Sequence, residues 1–111
     1  MDNTAVNLDK TTVLNVIKDM HKALENNGIK DNHIALFGSF HHGNTHNNSD
    51  IDMIVISNMF DGKNLFERIN MTLQAESDIR KCYTVPMDIL LKTPKEYEYS
   101  KKIYFDSEII V

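Results

Sequence analysis

The chain has 111 residues, 41% hydrophobic and 25% charged, the composition of one soluble globular domain with no room for a second. Sixteen acidic residues against twelve basic ones leave a formal charge of −4, which argues against a protein that grips nucleic acid by its phosphates. A single cysteine, Cys82, excludes an internal disulfide and any cysteine zinc knuckle. Met1 to Lys10 is polar and lacks the basic start and apolar run of a secretion signal. The longest apolar stretch, Met53 to Ile56, falls far short of the roughly 20 residues that cross a bilayer. The expectation is one domain over residues 1–111, in the cytoplasm.

After Asp9, the spacing of Val13, Leu14, Ile17, Met20 and Leu24 predicts a helix over 10–26, with Asn26, Asn27 and Gly28 as its stop. His33 to Phe37 is a short apolar run closed by Gly38-Ser39, which reads as a buried strand entering a tight turn. Phe40 to Ser49 has no regular apolar period and is read as a short helical turn plus loop. Asp50 to Ile56 is a second strand, apolar on both faces once past its first residues, hence central. Asn58 to Gly62 connects, and Leu65, Phe66, Ile69 and Leu73 step at helical spacing, predicting a second long helix over 63–80. Val85 to Leu91 is a third strand, and Thr93-Pro94 opens a last helix. Ile103 to Val111 is left open as helix tail, short strand or interface segment. The order of elements gives an α/β (α+β) domain with a small mixed sheet flanked by helices.

The chemistry concentrates between Gly38 and Asp52. Side chains two apart on a strand share a face, with α-carbons about 6.8 Å apart, so Asp50 and Asp52 present two carboxylates to one point. Hard oxygen ligands so placed suit Mg²⁺. Gly38 lets a backbone amide approach an anion closely, and Ser39 adds a hydroxyl and an amide for phosphate oxygens. A cation site beside an anion cradle describes a bound metal–triphosphate. Asp88 lies within Pro86-Met87-Asp88-Ile89-Leu90-Leu91, an apolar strand where an unpaired charge is costly. Were that strand beside the second, three carboxylates would hold two ions about 4 Å apart, the clamp used for in-line nucleotidyl transfer. Asp88 is then the group to assist deprotonation of the acceptor.

The Gly38-Ser39 turn, ten intervening residues, the Asp50-Ile51-Asp52 strand and the later Asp88 together resemble the DNA polymerase β-type nucleotidyltransferase superfamily. Length and element order are similar to its minimal nucleotidyltransferases, often the antitoxin partners of HEPN-domain RNase toxins. The resemblance covers roughly residues 10 to 105 and implies a mixed sheet with flanking helices. It also implies a Mg²⁺-bound nucleoside triphosphate, ATP foremost, as substrate. It matches Gly38 and Ser39 to the family's nucleotide-binding turn, and Asp50, Asp52 and Asp88 to its metal-binding and catalytic acids. In toxin–antitoxin pairs of this kind the acceptor is a tyrosine of the HEPN toxin, and AMP addition silences its RNase. One departure stands out: where the family commonly has Arg before the glycine that closes the turn, this chain has His42 before Gly43, mostly neutral at pH 7.

Plainer roles compete for several residues. Asp50 and Asp52 would otherwise serve as a cap and a surface ion pair, Asp88 as a strand-end acid, Gly38 as a turn former and Ser39 as a helix cap. His42 and His46 would share a helical face, but no third ligand stands at a firm spacing, so a solvated loop beside the nucleotide is preferred over a metal site for His41, His42 and His46. Lys63 and Arg68 are cations within reach of a triphosphate, yet basic residues on an amphipathic helix usually face solvent, so neither is assigned. Tyr97, Tyr99, Tyr104 and Phe105 suit either core packing or an interface. Two rival functions remain: an antitoxin that acts by contact alone, and the catalytic half of a two-subunit small-molecule nucleotidyltransferase. Size disfavours the latter, because so small a chain has little surface for a deep second-substrate pocket.

Overall fold

The computed structural model describes residues 9–37, 50–103 and 107–111. Three helices and four strands follow one another as α1 (Lys10–Asn26), β1 (His33–Phe37), β2 (Ile51–Ile56), α2 (Leu65–Cys82), β3 (Met87–Lys92), α3 (Pro94–Ser100) and β4 (Glu108–Ile109), with a 3-10 turn at Asn58–Phe60. Among these residues no helix is long and apolar enough to cross a membrane.

Helix α1 begins where Asp9 accepts a hydrogen bond from the Thr12 amide at 2.8 Å, satisfying an amide that has no partner inside the helix. It buries Val13, Val16, Ile17, Met20 and Leu24 along one face. Gly28, at φ 95°, turns the chain out of the helix in the left-handed region. Buried Asn32 holds the return: its amide donates to the Ile29 carbonyl at 2.8 Å, and its oxygen pairs with His21 Nδ1 at 2.7 Å.

The strands form one sheet in the order β3-β2-β1-β4. β1 pairs antiparallel with β2 and with β4, and β2 pairs parallel with β3. Alternation along each strand divides the apolar residues between two faces. Ile34, Leu36, Ile51, Met53, Val55, Met87 and Leu91 join α1 and the Ala75 and Ile79 positions of α2 in the main core. Ala35, Ile54 and Ile56 pack on the opposite side with Tyr97 of α3, beside Phe37 and Leu90. α3 is set by a reciprocal cap, in which Thr93 Oγ1 accepts from the Glu96 amide and Glu96 accepts from the Thr93 amide, with Pro94 leading the helix.

Several expectations shift in detail. α2 begins at Leu65, not at 63, because Asn64 and Glu67 form a second reciprocal cap. The four residues whose spacing predicts this helix, Leu65, Phe66, Ile69 and Leu73, are exposed, while its buried positions are Thr72, Ala75 and Ile79. β3 starts at Met87, two residues later than predicted. Of the three options left open for the last segment, a short strand is the one formed: Ile110 donates to the Ile34 carbonyl at 2.8 Å, and Ile34 to that of Val111 at 3.2 Å. Tyr97 is a core residue whose hydroxyl meets Ser107 Oγ at 2.9 Å, whereas Tyr99 is exposed. The helical turn expected within 40–49, and with it His41, His42 and His46, lies outside the described residues, as do Tyr104 and Phe105.

Candidate active site

The sheet register answers whether the third strand lies beside the second. β3 is the immediate parallel neighbour of β2, and Asp52 is the register partner of Asp88. Partners on adjacent strands sit roughly 4.8 Å apart and point to the same face. On the other side of β2, Asp52 is opposite Phe37, the last residue of β1. Asp52 and Asp88 therefore stand on the face shared with α3, at the end of the sheet where β1 terminates and where β2 and β3 begin. Asp50, two residues ahead of Asp52 and exposed, is at the same end. Gly38 and Ser39 follow Phe37 directly in sequence but lie outside the described residues.

The electrostatics agree with three acids in proximity. Burial raises the Asp52 carboxyl above its ordinary pKa, and repulsion from Asp88 and then Asp50 raises it further. Among the described residues nothing lowers it: Asp52 has no basic neighbour to balance it. Among those residues, too, no three His, Cys, Asp or Glu side chains are gathered into a shell that would hold a metal ion. The donor chemistry nevertheless fits a hard divalent cation, since every donor is a carboxylate oxygen and, among the described residues, nothing lowers the Asp52 carboxyl. Phe37 and Leu90, half-buried on the acid-bearing face, are apolar neighbours that the sequence reading passes over; their even spacing from Asp52 and Asp88 in the strands is the signal that could have found them.

The two helix cations part company. Lys63 is exposed ahead of α2. Arg68, which the sequence leaves unassigned, is locked: it donates to both Glu96 carboxylate oxygens at 2.6 and 3.0 Å, to the Leu91 carbonyl at 3.1 Å and to that of Lys63 at 2.9 Å. It also stacks over the ring of buried Phe60. An arginine so occupied is a structural tie and not a ligand for triphosphate.

Residues 16–111 match the family model described as a nucleotidyltransferase domain. No curated protein sequence matches the chain. Among solved structures the chain is similar to a nucleotidyltransferase candidate from Sulfolobus solfataricus, at 17% identity and a TM-score of 0.68, over 97% of this chain and 87% of that one. It is also similar to a toxin–antitoxin structure with AMP-PNP, at 21% identity and a TM-score of 0.57, over 84% and 70%. A third is the toxin–antitoxin MntA-HpeT in a mutant form, at 18% identity and a TM-score of 0.53, over 92% and 72%. At these identities the likenesses establish the fold.

Proposed function

The chain belongs to the nucleotidyltransferase domain family, and on that premise we propose that it moves AMP from ATP to a hydroxyl of a partner toxin and so acts as its antitoxin. The observation that carries the proposal is the register of Asp52 with Asp88, which stands two acids side by side at the strand end that leads into Gly38-Ser39. Support for the toxin comes from the neighbours: two of the similar structures are toxin–antitoxin assemblies, one of them with AMP-PNP. A HEPN-domain RNase is the proposed toxin, a tyrosine its acceptor residue, and the cytoplasm the place of action.

Each residue has a distinct task. Gly38 and Ser39 cradle the triphosphate through backbone amides and the serine hydroxyl. Asp50, Asp52 and Asp88 would hold Mg²⁺, which when bound would neutralise triphosphate charge and make the acceptor hydroxyl more acidic. Asp88 receives the acceptor proton as the hydroxyl oxygen bonds to the α-phosphorus and the bond to the leaving pyrophosphate breaks.

A contact-only antitoxin is the second reading, favoured by the absence of a gathered three-ligand shell among the described residues and by His42 in place of the family's arginine. The experiment that separates the two is intact-mass measurement of the protein encoded by the adjacent gene after incubation with this chain, Mg²⁺ and each nucleoside triphosphate, with an Asp52→Asn control. An added nucleoside monophosphate that the control abolishes supports transfer and names the base. A stable complex with no added mass replaces transfer by contact.

A further inference from the structure

We infer that Tyr99 is itself a nucleotidyl acceptor, modified by the acid centre of a second copy of this chain; the inference rests on the proposed transfer of AMP to a protein hydroxyl.

The first argument is which hydroxyl is available. A phenol ionises at about 10, far more readily than an aliphatic hydroxyl, so tyrosine yields its proton to a carboxylate most easily. Among the described residues, Tyr83 donates to Asp19 Oδ2 at 2.5 Å, a hydrogen bond that pushes its phenol up to about 12. Tyr97 is buried, and its hydroxyl meets Ser107 Oγ at 2.9 Å. Tyr99 is 67% exposed, and among the described residues its hydroxyl has no hydrogen-bond partner.

The second argument is direction. Successive residues of an α-helix turn by about 100°, so Tyr97 and Tyr99 of α3 project roughly 200° apart. Tyr97 packs on the acid-bearing face of the sheet, which turns Tyr99 to the outer side of α3. The phenol thus faces away from the acids of its own chain, and the acids that meet it belong to another copy. Asp50 and Asp88 are exposed at their end of the sheet, where a hydroxyl carried by a protein can approach them.

The third argument is charge. Tyr99 lines a cavity of about 540 Å³ together with Lys92 and Lys95, and the Lys102 ammonium stands over its ring, 5.6 Å from the centroid. Asp61 and Glu96 line the cavity too, but Glu96 is held by Arg68, so cations prevail around the phenol. A cationic acceptor surface is complementary to a donor site built of three acids, which favours this encounter between two copies of an acidic chain. In the reaction the Tyr99 oxygen bonds to the α-phosphorus of ATP held by the other copy and the bond to pyrophosphate breaks. The phenolic proton passes to the Asp88 of that copy. The phosphodiester formed carries one negative charge, which the surrounding ammonium groups offset.

The test incubates the full chain with Mg²⁺ and ATP, with no other protein present, and reads intact mass. The wild type is expected to gain one nucleoside monophosphate. Tyr99→Phe is expected to lose that gain and to keep its melting temperature, since the deleted hydroxyl has no partner among the described residues. Asp52→Asn alone stays unlabelled. Mixed with Tyr99→Phe, it acquires the label, because one variant supplies the acids and the other the phenol. A label retained by Tyr99→Phe overturns the inference, as does a wild-type label with none on Asp52→Asn in the mixture. No label on the wild type, where the protein encoded by the adjacent gene is labelled in a parallel incubation, overturns it and leaves the proposed function standing. No label on either protein removes both.

Discussion

Arg68 and Glu96, 28 residues apart, meet through two hydrogen bonds of 2.6 and 3.0 Å that tie α2 to α3, while the same guanidinium reaches the Leu91 carbonyl on β3. Three elements are thus joined at a side chain only 12% exposed, and its partner carboxylate also caps α3. Replacing Arg68 by Ala leaves the Leu91 carbonyl and the Glu96 carboxylate without their Arg68 donor. The expected loss is about 2 kcal/mol, tempered because solvent reaches Glu96. Urea unfolding measures it. Because Arg68 is occupied here, Arg68→Lys is expected to leave ATP affinity unchanged; a tenfold weaker affinity would instead place it at the nucleotide.

The same pair sets an acid limit on stability. The hydrogen bond from Arg68 holds the Glu96 carboxyl at about 2, below its ordinary 4.5. A carboxyl depressed by folding contributes stability above its unfolded value, and that contribution drains away as pH falls toward the folded one. The urea midpoint should therefore decline between pH 4.5 and 2, and Glu96→Gln should flatten part of that decline. An unchanged slope in the variant would show that other carboxyls govern the acid limb.

Asp52 carries the opposite sign. Its carboxyl is raised by burial and by Asp88 and Asp50, so ionisation costs stability as pH rises past the ordinary carboxylate value, and the cost is complete once pH exceeds the folded-state value. Asp52→Asn is expected to raise stability at pH 7 by about 1 kcal/mol while abolishing transfer, the trade found where a site is built against the fold's own preference. Asp88→Asn should lower kcat by roughly 10²–10⁴-fold. Calorimetry and single-turnover assays read both effects; a destabilised Asp52→Asn would contradict the electrostatic account.

Neighbouring acids that raise one another should also respond to metal in the absence of any substrate. Mg²⁺ at ten times its dissociation constant is expected to stabilise the wild-type chain by about 1.4 kcal/mol. The gain should vanish in a variant combining Asp52→Asn with Asp88→Asn. Equal thermal shifts in both proteins would mean that Mg²⁺ acts elsewhere.

How much of this was legible depended on how local the signal was. Helix α1 was readable to both ends because Asp9 caps it and Gly28 turns the chain away, each within a residue or two of the boundary it sets. The strand β1 was equally plain as an apolar run. Asp88 could be singled out as a charge in an apolar strand, but its partnership with Asp52 depends on sheet order, which no local pattern encodes. Periodicity identified α2 without saying which side faces inward, since the smaller Thr72 and Ala75 take the buried positions while the larger stripe is left outside. Arg68 gave no sign of its role because its partner is distant in sequence. The two-residue β4 is exposed and too short to carry a period of its own.

The sheet acts as a partition. Within Asp50-Ile51-Asp52-Met53, neighbouring letters answer to opposite sides: Ile51 and Met53 are fully buried with α1 and α2, whereas Asp52 stands on the other face beside Asp88. A saturation scan through β2 would then separate two phenotypes at alternate positions. Changes at 51 and 53 would deplete the protein from the cell, and changes at 50 and 52 would leave its abundance intact while erasing its effect.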